Sequence, residues 1–355
     1  MRTINYFLFL SILLLGSCIK PEPLNIEADI DDVRFDKPEA ILNFVKENTR
    51  ITVYANPGEA NPSNMTMDFI LSKGATIEPQ PQTVKDYTSP VTYTVTSEDS
   101  KWKKTYTVSV VYEQIPLKFD FEYWHPSNTK VVYYTPFENV IMAGGQQTEL
   151  NIWACANSAY SFISTESTSY PTQPTEDAQH GEKGVLLKTR TTGDENRPIA
   201  AGSLFIGEFD ASQLDPLEST KFGVPFMRKP LKLKGWYKYN SGGIIKGTSM
   251  VDSCNIRAVL YRTSPEVKFL TGKNIDNHPS IVAEAAIADG SSTSDVYQPF
   301  DLDFKYKKEI DSKALAAGEY NLTIIFTSSR KGSHYLGALK SELKVDNIEL
   351  VCDGE

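Results

Sequence analysis

The pattern that most constrains this chain is a strict two-residue alternation of apolar and polar side chains, repeated in many short runs. Leu231-Lys232-Leu233-Lys234-Gly235-Trp236-Tyr237-Lys238-Tyr239 sets Leu231, Leu233, Tyr237 and Tyr239 on one side. Lys232, Lys234, Trp236 and Lys238 fall on the other. Residues 91–96, 106–112, 300–306 and 320–326 alternate in the same way, and 117–123 puts Leu117, Phe119, Phe121 and Tyr123 on one face. Successive strand residues point to opposite faces, so these runs predict half-buried strands. Turn formers such as Asn56-Pro57-Gly58 and Glu98-Asp99-Ser100 separate the early runs. Helical spacing is confined to 39–47, where Ile41, Leu42, Phe44 and Val45 crowd one side, and to one turn at 312–316. The expectation is an all-β chain: a β-sandwich over 31–113, then a larger jelly-roll sandwich over 117–353. Gln114-Ile115-Pro116 reads as the linker, because proline cannot donate to a central ladder. Residues 155–185, rich in Ser, Thr, Pro and Gly, read as irregular loop. The apolar phase changes between Val345 and Ile348, which predicts a β-bulge.

The start of the chain constrains location. Arg2 precedes an apolar run from Tyr6 to Leu15, too short to span a bilayer and suited to a signal-peptide core. Leu15-Gly16-Ser17-Cys18 resembles a bacterial lipobox. That resemblance implies removal of residues 1–17, a lipid on Cys18 and a membrane-anchored mature protein. Residues 18–30, with Pro21 and Pro23, read as the lipidated tether. Glu27, Asp29, Asp31 and Asp32 resemble the surface-export signals of some Gram-negative lipoproteins, and read equally as a solvated loop. The expected location is the cell envelope, at the outer membrane and exposed on the surface. A net charge of -9 disfavours nucleic acid as a partner. Beyond Cys18 there are Cys155, Cys254 and Cys352. An oxidising compartment permits one disulfide among them, but buried small hydrophobes are the favoured reading. Their wide spacing, without CxxC, argues against zinc.

No GxSxG elbow, HExxH helix, phosphate loop or GxGxxG turn occurs, and the four histidines lie far apart. Carbohydrate chemistry remains. Sugars offer apolar ring faces for aromatic stacking and hydroxyls for planar polar side chains. Three groups supply both kinds: Trp124 with His125; Arg228 with Trp236 and Tyr239; and Arg330 with His334 in the polar 328–335 loop. Tyr239 shares the apolar face of its run, so packing competes with contact there. Trp236, among lysines, is the better platform. For hydrolysis the candidate carboxylates are Glu208 and Asp252, with Asp210 and Asp346 nearby in the motifs. Asp252 also reads as a turn former, and Asp346 as a bulge residue or structural calcium ligand. No other metal or cofactor is expected.

Two resemblances extend this reading. Residues 71–79, 93–99 and 106–110 resemble the Ig-like modules of Bacteroidetes cell-surface lipoproteins, where such modules act as spacers. Residues 199–209, 222–230, 233–239, 252–256, 328–332 and 341–347 are similar, in this order, to the putative carbohydrate metabolism domain of Bacteroidetes lipoproteins. That family implies a jelly roll akin to carbohydrate-binding modules, behind an Ig-like module. Three functions fit: a surface lipoprotein binding polysaccharide or oligosaccharide, a glycoside hydrolase, or a structural or adhesin subunit of a surface assembly.

Overall fold

The computed structural model describes residues 23–46, 48–55, 60–111, 116–141, 147–163, 166–213, 215, 217–316 and 318–353; Cys18, the expected signal peptide and most of the linker lie outside them. The first domain has seven strands: β1 (Ile30–Phe35), β2 (Ile41–Lys46), β3 (Arg50–Ala55), β4 (Met67–Leu71), β5 (Thr76–Glu78), β6 (Val91–Thr96) and β7 (Lys103–Val111). A five-stranded sheet, β2-β3-β7-β6-β5, stacks with the β1–β4 pair as an Ig-like sandwich. Ile30, Val33, Val53, Phe69, Tyr93 and Val108 meet in its core. All pairings are antiparallel except β3–β7, which is parallel.

The helical expectation for 39–47 fails: Ile41–Lys46 is a strand beside β3. Its register shifts between Ile41 and Asn43. The irregularity throws apolar residues out of two-residue phase, so their spacing imitates a helix.

The second domain begins with six short strands: β8 (Lys118–Phe119), β9 (Trp124–Pro126), β10 (Tyr134–Pro136), β11 (Glu138–Ile141), β12 (Gln147–Leu150) and β13 (Trp153–Ala154). Helix α1 (Asn157–Tyr160) leads to β14 (Thr172–Thr175), β15 (Gly184–Lys188), β16 (Arg190–Thr191), β17 (Ile199–Ala200) and β18 (Ser203–Phe209). Then come β19 (Thr220–Phe222), β20 (Val224–Pro225), β21 (Pro230–Asn240), β22 (Asn255–Arg262) and β23 (Ile281–Ala286). The chain closes with β24 (Gln298–Asp303), β25 (Lys305–Tyr306), α2 (Ser312–Ala316), β26 (Tyr320–Thr327) and β27 (Glu342–Cys352).

Two sheets form the jelly roll. One runs β13-β18-β26-β22-β23-β25, with β19 on β18 and β20 on β26. The other runs β14-β15-β27-β21-β24, with β8 on β27. Leu204 and Ile324 of the first sheet and Leu233, Tyr239, Leu343 and Val345 of the second share one core. The first sheet is also covered on its back, where Phe205, Phe222, Tyr261, Leu270 and Ile275 form a further apolar cluster. No such cluster covers the back of the second sheet among the described residues.

Local departures have local causes. The 117–123 alternation yields only β8, because Phe121 turns into the left-handed region at φ 55°. Within 155–185, expected to be loop, α1 forms and Thr172–Thr175 becomes an edge strand that tolerates Pro174. The bulge predicted near Val345 is present: two residues of β27, Asn347 and Ile348, oppose Gly235 of β21. Asn347 takes φ 50°. A Cβ on Gly235 would meet Ile348 Cδ1 at 2.6 Å and Phe300 Cζ at 2.8 Å, so a larger residue there would have to push both side chains aside. Cys155, Cys254 and Cys352 are buried, in keeping with small hydrophobes, and no disulfide joins them.

Candidate functional site

The uncovered face of the second sheet carries the side chains that alternate away from the core. β21 contributes Lys234, Trp236 and Lys238, and β27 contributes Glu342, Lys344 and Asp346. The register sets Trp236 opposite Asp346 on one side and Pro299 on the other. Lys238 lies opposite Lys344. Two like charges face each other across a strand pair, which is unfavourable without a counter-ion. Asp177, from the loop between β14 and β15, supplies it. Its carboxylate accepts from Lys238 Nζ at 2.7 Å and from Lys344 Nζ at 2.6 Å. These two bonds hold the Asp177 carboxyl below its ordinary range. Glu342 pairs with Lys188 at 2.8 Å and Lys344 at 3.4 Å. Burial pushes Glu342 up, but the two lysines outweigh it and the carboxyl titrates low.

The loop bearing Asp177 is fastened at two further points. The Asp346 carboxylate, fully buried, accepts the backbone N–H groups of Gln179 at 2.7 Å and His180 at 2.9 Å, and that of Asn347 at 2.7 Å. The bulge therefore turns Asp346 into the loop's anchor. Tyr297, just before β24, donates its hydroxyl to the Asp177 carbonyl at 2.6 Å, and Lys238 Nζ lies 5.1 Å from its ring centroid. Together Asp177, Lys238, Asn240, Asp295, Glu342 and Lys344 line a cleft of about 160 Å³. Trp236 stands two residues along β21 from Lys238, on the same face and half-buried. Lys188, outside the cleft but paired with Glu342, joins Lys238 and Lys344 in balancing Asp177, Glu342 and Asp295, so the cleft suits a ligand without net charge. Its fixed donors and acceptors match hydroxyls, and Trp236 and Tyr297 offer aromatic surface beside them.

The other expected site residues lie elsewhere. Tyr239 is fully buried in the core, which corrects its assignment to ligand contact: its face of β21 is the inner one. Arg228 is exposed ahead of β21, eight residues from Trp236 and so about 26 Å away along an extended chain. It lines a separate cavity with Met227, Lys229, Tyr306 and Leu315. Trp124 packs against the core and donates its Nε1 to the Phe121 carbonyl at 2.6 Å. Arg330 reaches the carbonyls of Cys254 at 3.3 Å and Ile287 at 3.0 Å, clamping loops together. His334 is exposed beside Ser333.

The two carboxylates proposed for hydrolysis do not meet. Asp252 is 1% exposed and accepts from Ser329 Oγ at 2.5 Å, Ser341 Oγ at 2.7 Å, the Ala338 N–H at 2.8 Å and the Ser253 N–H at 2.9 Å. It ties loops at one end of the sandwich. Glu208 faces Lys221 at 3.4 Å near the far end of β18. Ser203 pairs with Thr327 near the Asp252 end, and Glu208 lies five residues farther along β18, about 16 Å of extended strand. Glycosidase carboxyl pairs stand about 5–9.5 Å apart. As for calcium, the Asp346 oxygens already hold backbone N–H groups. No cluster of three or more His, Cys, Asp or Glu able to hold a metal occurs among the described residues.

Sequence reasoning missed Asp177, Asp295, Tyr297, Glu342 and Lys344. Glu342 and Lys344 carried a signal, since they alternate with Leu343 and Val345 in the last strand. Asp177 and Tyr297 carried none, being loop residues placed by tertiary contacts.

Comparison with known proteins bears on both domains. A family model described as "Putative carbohydrate metabolism domain" matches residues 120–351. One described as "SGBP, N-terminal" matches residues 33–110. Among solved structures, one described as a putative glycoside hydrolase from Bacteroides thetaiotaomicron is 36% identical with a TM-score of 0.84. The match covers 94% of this chain and 99% of that one. A second structure of the same description, from Bacteroides vulgatus, is 33% identical with a TM-score of 0.61, covering 68% of this chain and 100% of that one. No curated protein matches.

Proposed function

Because the chain belongs to the putative carbohydrate metabolism domain family, we propose that it is a glycan-binding lipoprotein whose site is the uncovered face of the second sheet. The observation that carries this reading is Trp236 standing beside a charge-balanced polar cleft on that face. The ligand is a neutral polysaccharide or oligosaccharide. Its sugar ring stacks on Trp236, and its hydroxyls bond to Asp177, Lys238, Asn240 and Lys344. The Ig-like domain is a spacer. The lipid on Cys18 anchors the protein at the outer membrane.

Hydrolysis is the second reading, since both related structures are described as putative glycoside hydrolases. A glycosidase needs one carboxyl held protonated and another ionised. In the cleft both Asp177 and Glu342 are held ionised, by lysines in each case. Asp346, opposite Trp236 on the same face, is pushed up by burial, but its oxygens are taken by three backbone N–H groups, so this too supports binding over turnover.

The test is a glycan array probed with residues 19–355. Retention on one class of neutral glycan is expected. Trp236→Ala should weaken it up to about tenfold, the loss of a stacking contact worth about 0.5–1.5 kcal/mol, with an unchanged melting temperature. Full retention by that variant sinks the site. Release of reducing ends from a retained glycan would restore the hydrolase reading.

A further inference from the structure

Three large apolar side chains at one end of the first domain remain without a role. Leu24, Ile26 and Trp102 are 57%, 61% and 60% exposed. They belong to one local structure, the turn between β6 and β7 and the chain segment laid along it. Within the turn, the Ser97 N–H donates to the Trp102 carbonyl at 3.0 Å, and the Trp102 N–H to Ser97 Oγ at 3.1 Å. The entering segment is pinned there at Asn25. Its carbonyl accepts the Asp99 N–H at 3.2 Å, and its own N–H donates to Glu98 Oε2 at 2.8 Å. Leu24 and Ile26, on either side of Asn25, are thereby presented at the same end as Trp102.

We propose that this end docks on the lipid surface that carries the Cys18 anchor, with Trp102, Leu24 and Ile26 entering the headgroup region. The inference rests on the anchor reading above. From Cys18 to Leu24 the chain spans six residues, at most about 22 Å when extended. The acyl chains therefore cannot lie farther than that from the patch. Tryptophan with aliphatic neighbours is the composition that partitions to a bilayer interface. Charge adds little. Lys101 and Lys103 flank Trp102, but Glu98 and Asp99 face them, and Lys101 pairs with Asp99 at 3.6 Å. The contact is apolar, so it should be insensitive to salt. Docking at three points, added to the lipid, fixes how the first domain stands on the membrane.

The experiment uses the full lipidated protein in phosphatidylcholine–phosphatidylethanolamine vesicles with brominated acyl chains, which quench nearby tryptophan. Four tryptophans emit, so Trp102→Phe isolates the contribution of Trp102. Wild-type emission should drop in brominated vesicles, and Trp102→Phe should show no drop. Leu24→Ser with Ile26→Ser should reduce the quenching severalfold, and 1 M salt should leave it unchanged. Mass spectrometry of the Cys18 peptide is read in parallel. A lipidated Cys18 with Trp102 unquenched, or with quenching abolished by salt, overturns the docking alone. An unmodified Cys18 overturns the anchor and the docking with it.

Discussion

Glu138 shows how one buried carboxyl can set the pH response of a β-sandwich. It is 6% exposed, accepts from Trp153 Nε1 at 2.8 Å, and burial pushes its pKa up to about 8. In the unfolded chain a glutamate titrates near 4.5. Between those values the folded state holds a proton that the unfolded state has released. Stability from this group is therefore complete at low pH, declines as pH rises from about 4.5 to about 8, and is level above. Glu138→Gln keeps an acceptor for Trp153 and removes the proton. Melting temperatures measured from pH 5 to 9 should fall less for the variant than for the wild type, with the variant gaining most above pH 8. Parallel curves would exclude Glu138 as the source. The sequence did not point to this residue, because nothing in Phe137-Glu138-Asn139 distinguishes a buried glutamate from a solvated one. Residue parity was more informative: it put Trp236 and Tyr239 on opposite faces, and both are found there.

At the scale of elements, strands were legible wherever one face is buried and the register regular. β26 put Tyr320, Leu322, Ile324 and Phe326 into one core, although its other face is buried too, and β21 and β27 kept their alternation on either side of the bulge between them. β2 and the run after β8 did not, for a register shift or a left-handed residue breaks the period that sequence reading depends on. Loops escaped altogether. The stretch 176–183 owes its shape to Asp346, far away in sequence. Asp252 does the same for the loops at the end of the sandwich. Asp252→Ala would leave the Ser329 and Ser341 hydroxyls and the Ala338 N–H buried without an acceptor. A loss of about 3 kcal/mol in denaturant unfolding is expected, far above an ordinary surface change. A loss below 1 kcal/mol would mean that water takes over these bonds. The residue offered by its sequence as a candidate catalytic carboxylate is thus a joint between loops.

At the scale of the molecule, two sandwiches were legible and their junction was not. β3 is buried on both faces: Ile51, Val53 and Ala55 enter the first core, while Tyr54, 2% exposed, joins the core of the second domain. Beside it Arg50 donates to Asn151 Oδ1 at 2.6 Å and lies 3.3 Å from Glu149, which His125 approaches at 2.9 Å. Such a wedge couples the unfolding of both units. Calorimetry should give one transition for the wild type and two for Tyr54→Ala; two for the wild type would deny the coupling. The Tyr54 wedge also has a consequence for many copies at once. On the anchored, glycan-binding reading proposed above, a stiff junction, where a flexible linker would let each sandwich sample a hemisphere, would keep every binding face at nearly one height above the bilayer. A long polymer gripped by one copy would then stay within reach of its neighbours. Their lateral density, more than the strength of any single contact, would govern how firmly it is retained.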